Sequence, residues 1–268
     1  MIYRRTLPAA LLLAALGCAP AQAASSDWYH VEGGAVRLVT SGRADADGRL
    51  RGALEIHLKP GWKTYWVDPG SSGVPPTLDV SAAGQPVPVE IAFPAPQRFD
   101  DGYGEWAGYD HSVALALTFR LPDGQDAAAA LEADAFLGVC ETICIPVQAK
   151  LSIEAQATKD ESAHEAIVAA AFGALPGPAR HGFEARSIDA EGETLTIEAT
   201  VPDGAEALDI HVAGTSKYTF GSPARSVEDG KTFFALPYQG KAALPAGARF
   251  HYTLVTSTGS VSGLLELP

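Results

Sequence analysis

The chain contains little methionine, cysteine or positive charge. Its 268 residues include one Met, three Cys and 19 Lys plus Arg against 32 Asp plus Glu, which gives a formal net charge of −13. An acidic surface repels phosphate backbones and anionic lipids, so nucleic-acid binding and membrane attachment through basic patches are disfavoured. Because the single methionine is Met1, the rest of the chain cannot form a copper centre from Cys, His and Met together.

Long apolar runs are also missing. The most apolar stretch lies within residues 1–23, where Arg4 and Arg5 precede residues 7–16 and a small-residue motif ends at Ala23. This stretch is shorter than the ~20 residues that a membrane-spanning helix needs. Its three-part pattern is typical of a secretory signal peptide that is cleaved after the small-residue motif. We therefore expect the remainder of the chain to be exported to the periplasm without spanning the membrane.

Only Cys140 and Cys144 remain after this cleavage, because Cys18 is lost with the signal. Lipidation of Cys18 is the alternative, but Ala15 and Leu16 fit a lipidation motif poorly. In an oxidising compartment two cysteines this close form a disulfide unless they are reduced or bind a metal. Closing so short a loop removes only ~2 kcal/mol of unfolded-state entropy, which favours a redox role over a structural one.

Short segments of β-forming residues recur along the chain, separated by turns rich in Gly, Pro and Asp. This spacing predicts an all-β fold with two immunoglobulin-like β-sandwich domains joined by a short helix and linker. The helix is indicated by apolar residues at helical spacing before Pro176. The predicted units are a signal peptide (1–23), a redox domain (24–157), a connecting helix and linker (158–178) and a second sandwich (179–268).

The two cysteines lie at the junction of two apolar runs. Cys140 ends the first run and Cys144 begins the second, so residues 141–143 are predicted to form the turn of a β-hairpin. Pro146 cannot donate a hydrogen bond to a neighbouring strand, which indicates an edge strand or a bulge. An edge strand beside a redox pair suits the docking of another protein.

The charges near the cysteines disfavour a thiolate. Glu141 is adjacent to Cys140, and the nearest basic residue along the chain is Lys150. A negative neighbour raises the pKa of a thiol and makes it a weaker nucleophile at neutral pH. We therefore expect this pair to be attacked by a partner's thiolate rather than to attack first.

A metal role for the same sulfurs stays open as an alternative. Cys140 and Cys144 alone suit two-coordinate Cu(I), so the chain could be a Cu(I)-binding copper-tolerance protein. Structural zinc needs four ligands, and the seven His residues show no ligand spacing. Since the sequence also carries no fingerprint of a nicotinamide, flavin or haem site, we expect no cofactor. A third alternative is an adaptor protein in which the disulfide is purely structural.

Several motifs resemble one known family. Residues 61–77 read GWKTYWVDPGSSGVPPT and are similar to the signature G-W-H-x-Y-W-x-N-P-G-D-S-G-x-P of the amino-terminal periplasmic region of the DsbD/ScsB family of thiol:disulfide interchange proteins. The segments FPAP at 93–96, GYD at 108–110 and VCETICIP at 139–146 follow in the family's order. The resemblance covers residues 28–155.

The resemblance implies protein-disulfide reductase-type exchange in the periplasm. A membrane-embedded thiol reductant on a separate chain would pass electrons to Cys140 and Cys144, and these would pass them to oxidised periplasmic client proteins. The family implies that Cys144 forms the mixed disulfide and Cys140 resolves it. The implied cap-loop residues and active-site neighbours are Asp101, Tyr103, Trp106, Trp62 and Tyr65.

The chain departs from the family pattern at several positions. Lys63 replaces the common His, and Asp68 replaces the common Asn. Gly102 stands where some members carry an aromatic cap, so Tyr103 or Trp106 would have to shield the disulfide. The Gly-rich surroundings of these two aromatic residues predict an exposed, mobile lid.

Overall fold

The computed structural model describes residues 24–70, 73–100, 102, 104–122, 130–154 and 161–268. Nearly all regular structure in these ranges is β, with one helix, α1 (Glu161–Gly173). The predicted all-β class with two β-sandwiches and a short helix is confirmed. The exact domain limits stay a prediction, and the signal peptide lies outside the described residues. No helix in the described part of the chain has the length and apolarity that crossing a bilayer requires.

The first sandwich precedes the helix. Its strands are β1 (Ala24–Ser25), β2 (Tyr29–Val31), β3 (Gly34–Ala44), β4 (Arg49–Leu58), β5 (Lys63–Tyr65), β6 (Thr77–Ala82), β7 (Gln85–Pro86), β8 (Val89–Ala92), β9 (Gln97–Asp100), β10 (Glu105–Tyr109), β11 (Val113–Arg120), β12 (Leu131–Cys140) and β13 (Cys144–Ile153). One sheet has the order β1-β3-β4-β11-β8, with β2 also on β3. The other has the order β7-β6-β12-β5-β10-β9, with β13 also on β12.

The second sandwich follows the helix. Its strands are β14 (Gly177–Pro178), β15 (Glu184–Glu191), β16 (Thr194–Thr200), β17 (Ala207–Val212), β18 (Tyr218–Phe220), β19 (Ala224–Glu228), β20 (Lys231–Gly240), β21 (Arg249–Thr256) and β22 (Gly259–Glu266). One sheet has the order β14-β22-β21-β17, and the other has the order β15-β16-β20-β18 with β19 on β20. Each sandwich buries its own apolar cluster between its sheets.

Alternation along the strands places the cysteines. On β12, Leu137 and Val139 point into the core of the first sandwich, so Gly138 and Cys140 point to the opposite, outer face of the sheet. Strands β12 and β13 pair antiparallel along their whole length, from Leu131 opposite Ile153 to Cys140 opposite Cys144. This is the hairpin that the sequence predicts, and within the described residues β13 pairs with β12 alone, as an edge strand.

Candidate redox site

A disulfide joins the last residue of β12 to the first residue of β13. Cys140 and Cys144 are bonded, with their Cα atoms 4.1 Å apart. Cys140 is only 1% exposed, whereas Cys144 and the three turn residues between them are exposed. Ile143 in this turn is 72% exposed. The hairpin tip therefore presents one sulfur-bearing residue and an apolar side chain to solvent while it hides the other cysteine.

Tyr65 contacts both sulfur atoms from the neighbouring strand β5. Its hydroxyl lies 3.0 Å from Sγ of Cys144 and 3.1 Å from Sγ of Cys140. Because disulfide sulfurs carry no hydrogen, the hydroxyl is the donor in either contact. The ring fits because Gly138, two residues before Cys140, has no side chain: a Cβ there would lie 3.1 Å from the ring. Tyr65 is itself buried.

Two further aromatic residues extend this contact across the sheet. Trp106 on β10 meets the Tyr65 ring edge-on, with centroids 5.6 Å apart. Phe99 on β9 stacks on Trp106, with centroids 4.3 Å apart and planes at 14°. The buried residues Tyr65, Trp106 and Cys140, with Phe99 packed against them, form a cluster separate from the sandwich core. We refer to Phe99 and Trp106 as the aromatic cover.

The prediction that Trp106 lies in an exposed lid is wrong. Trp106 lies within strand β10 and is 4% exposed, so it is packed rather than displayed in a loop. The Gly-rich sequence suggested a loop, but Gly108 serves close packing instead. A Cβ on Gly108 would approach the Thr64 carbonyl oxygen to 2.2 Å and the Trp106 ring to 2.9 Å. The other lid residues, Asp101 and Tyr103, lie outside the described residues.

Trp62 takes a different position from Tyr65. It is buried in the main core of the first sandwich. Gly33 leaves the room that its indole ring fills, since a Cβ there would come within 2.1 Å of the ring. The structure therefore brings Tyr65 and Trp106 to the disulfide region and places Trp62 in the core cluster instead.

The site also contains a lysine, Lys63, that lies far from the two cysteines along the chain but next to them in the sheet. Lys63 pairs with Cys140 across β5 and β12, and its Nζ lies 4.7 Å from the centroid of the Trp106 ring. Sequence reasoning named Lys150 as the nearest basic residue and recorded Lys63 only as a departure from a motif. Phe99 was missed as well, because the register that sets it opposite Trp106 is seen only in the folded sheet.

In the ranges that the structure covers, no group of three or more His, Cys, Asp or Glu side chains could hold a metal ion. The Cu(I) alternative thus concerns the two cysteine sulfurs, which here are joined to each other.

Comparison with known proteins agrees with the motifs. Residues 35–156 match the family model for the N-terminal region of thiol:disulfide interchange protein DsbD. The crystal structure of the N-terminal periplasmic domain of ScsB from Proteus mirabilis is similar in fold, with a TM-score of 0.73 at 19% identity, covering 91% of this chain and 99% of that one. No curated protein sequence matches the chain. These findings confirm the resemblance indicated by the motifs.

Proposed function

We propose that the chain relays electrons in the periplasm, because residues 35–156 match the N-terminal region of the thiol:disulfide interchange protein DsbD. It would accept them from a membrane-embedded thiol reductant on a separate chain and pass them to oxidised periplasmic proteins. The observation that carries this proposal is the Cys140–Cys144 disulfide at an exposed hairpin tip beside the aromatic cover. The periplasmic location is supported by the signal-like residues 1–23 and by the ScsB domain's own location.

The difference in burial supports a direction of attack. A donor thiolate would attack Sγ of Cys144, because this residue is exposed and Cys140 is buried. The S–S bond breaks, the donor sulfur bonds to Cys144, and Cys140 leaves as a thiolate. The donor's second thiolate then attacks the donor sulfur, which releases Cys144 and oxidises the donor to a disulfide. Two electrons and, after protonation, two hydrogens have reached the pair.

The client step runs in the opposite sense. The Cys144 thiolate attacks a client disulfide, and Cys140 then attacks Sγ of Cys144 to reform the original bond and release the reduced client. The Tyr65 hydroxyl, within hydrogen-bond distance of both sulfurs, would stabilise a thiolate on either. Ile143 supplies an exposed apolar contact beside Cys144 for a docking partner.

The proposal is tested with the purified protein, residues 24–268. The pair is equilibrated in glutathione buffers to obtain its reduction potential, and the reduced protein is then mixed with insulin as a model disulfide substrate. We expect a potential above about −300 mV, the range of exchangeable disulfides, and reduction of insulin. Cys144→Ser should abolish the reaction, and Cys140→Ser should accumulate a mixed disulfide through Cys144.

Other outcomes identify the alternatives. A potential far below about −300 mV with no transfer to insulin would mean a structural disulfide. Tight binding of one Cu(I) by the reduced protein, lost in Cys144→Ser, together with no insulin reduction, would favour the copper-tolerance function. If the double serine variant reduced insulin as fast as the wild type, the relay proposal would be wrong.

A further inference from the structure

One side chain of the first sandwich, Arg98 on β9, makes several contacts with the second sandwich. Its Nε lies 3.1 Å from Oδ2 of Asp209, and its Nη2 lies 3.3 Å from Oδ1 of the same carboxylate. Nη2 also donates to the carbonyl oxygen of Ile210 at 3.1 Å, and Nη1 donates to Oγ of Ser222 at 3.2 Å. A guanidinium held at both oxygens of one carboxylate has a fixed orientation as well as a fixed position. We refer to the Arg98–Asp209 pair as the clamp.

The clamp and the aromatic cover share one hairpin, formed by strands β9 and β10. In the β9–β10 register, Arg98 is opposite Ala107 and Phe99 is opposite Trp106. Successive residues of a strand point to opposite faces. Arg98 therefore holds β9 from the face opposite the one on which Phe99 stacks against Trp106.

The part of this hairpin that carries the cover has few other supports. Strand β10 pairs with β5 only at Gly108 and Tyr109, and the backbone of Ala107 forms two more hydrogen bonds, to Trp66 and Pro69. Trp106 lies at the end of this support. The Nε1 of Trp106 has no hydrogen-bond partner within the described part of the chain. Trp106, Arg98 and His211 also line a cavity of about 280 Å³ between the sandwiches. The indole is thus held by packing against Tyr65 and Phe99 and by the Lys63 ammonium over its face.

Burial of Cys140 depends on this cover. Cys140 lies on the outer face of its sheet, where Tyr65 and Trp106 form the buried cluster around it. Cys144 is exposed without any movement. Loosening the β9–β10 hairpin would therefore expose Cys140. It would leave the access of reagents to Cys144 nearly unchanged.

We infer that Asp209 is a positioning residue: through Arg98, the second sandwich holds the aromatic cover over Cys140 and so restricts attack to Cys144. This inference rests on the proposed function, because shielding one sulfur matters only if the pair exchanges disulfides. It assigns the second sandwich a part in the choice of sulfur, although that sandwich contains no cysteine of its own.

The test measures the accessibility of each sulfur as a single thiol. In a Cys144→Ser background, Cys140 is alkylated with iodoacetamide from pH 7 to pH 10, and the limiting rate at high pH is taken so that thiol pKa does not enter. Asp209→Asn should raise this limiting rate at least about threefold, because the β9–β10 hairpin opens more often. In a Cys140→Ser background, the same substitution should leave the limiting rate of Cys144 unchanged.

Matched variants separate the clamp from general stability. Glu206→Gln breaks the Arg225–Glu206 pair inside the second sandwich and should leave the Cys140 rate unchanged. Arg98→Lys keeps the charge but loses the two-point geometry, so it should raise the Cys140 rate even if Asp209→Asn folds poorly. The exchange of both residues, Arg98→Asp with Asp209→Arg, should bring the rate back toward the parent value.

The inference is overturned if Asp209→Asn and Arg98→Lys both leave Cys140 as slow as in the parent, or if they accelerate Cys140 and Cys144 equally. Alkylation of one thiol involves no electron transfer. A failure of the relay in the insulin assay therefore leaves this result unaffected, and the two proposals can fail separately.

Discussion

At the scale of single residues, Tyr65 connects the disulfide to the rest of the site. It reaches both sulfurs with one hydroxyl and presents its ring to the edge of Trp106. Two small residues make this possible, since Gly108 and Gly138 leave the space that its backbone and ring occupy. A hydrogen bond to an ionised acceptor is stronger than one to a neutral acceptor. The hydroxyl should therefore stabilise a thiolate more than it stabilises the disulfide.

Tyr65→Phe should make the reduction potential of the Cys140–Cys144 pair more negative. Loss of about 1 kcal/mol of thiolate stabilisation corresponds to about 20 mV for this two-electron couple. Equilibration in glutathione buffers measures the shift. Tyr109→Phe is the matched control, because Tyr109 is also buried but donates its hydroxyl to the Pro94 carbonyl oxygen at 2.8 Å. An equal potential in Tyr65→Phe and wild type would show that the hydroxyl does not act on the thiolate.

At the scale of elements, four neighbouring strands supply the site and one helix covers the opposite side of the sandwich. Strands β12, β5, β10 and β9 each place a residue of the site on one outer face of their sheet. Helix α1 packs on the outer face of the other sheet, where Val39, Ala53 and Ala116 meet Val168 and Ala171. Alanines on both surfaces allow the helix to approach the sheet closely. The helix is thus part of the first sandwich's packing as well as a connection.

Val168→Asp should destabilise the first sandwich. The substitution buries a carboxylate between helix and sheet, and we expect a loss of about 3 kcal/mol or more in the free energy of unfolding. Urea unfolding measures it. Ala169→Asp introduces the same charge at the adjacent, exposed position of α1 and should cost less than about 1 kcal/mol. Similar losses in both variants would mean that α1 does not depend on this packing.

At the scale of the whole molecule, the two sandwiches meet at partly buried polar groups. Besides the clamp, the Asp68 carboxylate accepts a hydrogen bond from the Gly214 amide at 2.5 Å. His211 is 2% exposed beside the clamp, and its ring meets Trp66 edge-on at 5.7 Å. Burial lowers the pKa of His211 to about 4. The Asp209 carboxylate partly opposes this shift, and the Arg98 cation adds to it.

Acidification should therefore lower the free energy of unfolding, because His211 is protonated more readily in the unfolded chain. Its pKa is about 4 in the folded state and has the ordinary value of 6.5 in the unfolded chain. Between these values the unfolded chain binds a proton that the folded chain does not, so stability is complete above the upper value and falls as pH decreases toward the lower one. Between pH 7 and pH 5 the protein loses about 2 kcal/mol of its free energy of unfolding through His211.

Urea unfolding at pH 7 and pH 5 checks this prediction. The loss of stability on acidification should be smaller in His211→Gln than in the wild type by about 2 kcal/mol. Carboxylates that titrate in this range are common to both proteins and cancel in the comparison. An identical pH dependence would show that His211 remains unprotonated in the unfolded chain or becomes protonated without cost in the folded one.

Local patterns were enough to predict the fold class and the pairing of Cys140 with Cys144. Alternation and turn residues indicated β-strands, and the spacing of Cys140 and Cys144 indicated a hairpin that the structure contains. These features depend on residues close together along the chain. The family motif at 61–77 could be recognised for the same reason, because it is one continuous segment.

Strand pairing and domain contacts decided the surroundings of the sulfurs. Lys63 faces Cys140, and Phe99 stacks on Trp106, only because β5, β9 and β10 are neighbours in one sheet. The contact of Arg98 with Asp209 joins residues 111 positions apart. Register and the packing of two separate cores set such contacts, and a local sequence pattern carries no record of them. The sequence alone therefore identifies the disulfide, whereas the tertiary structure determines which of its sulfurs is hidden and what holds it so.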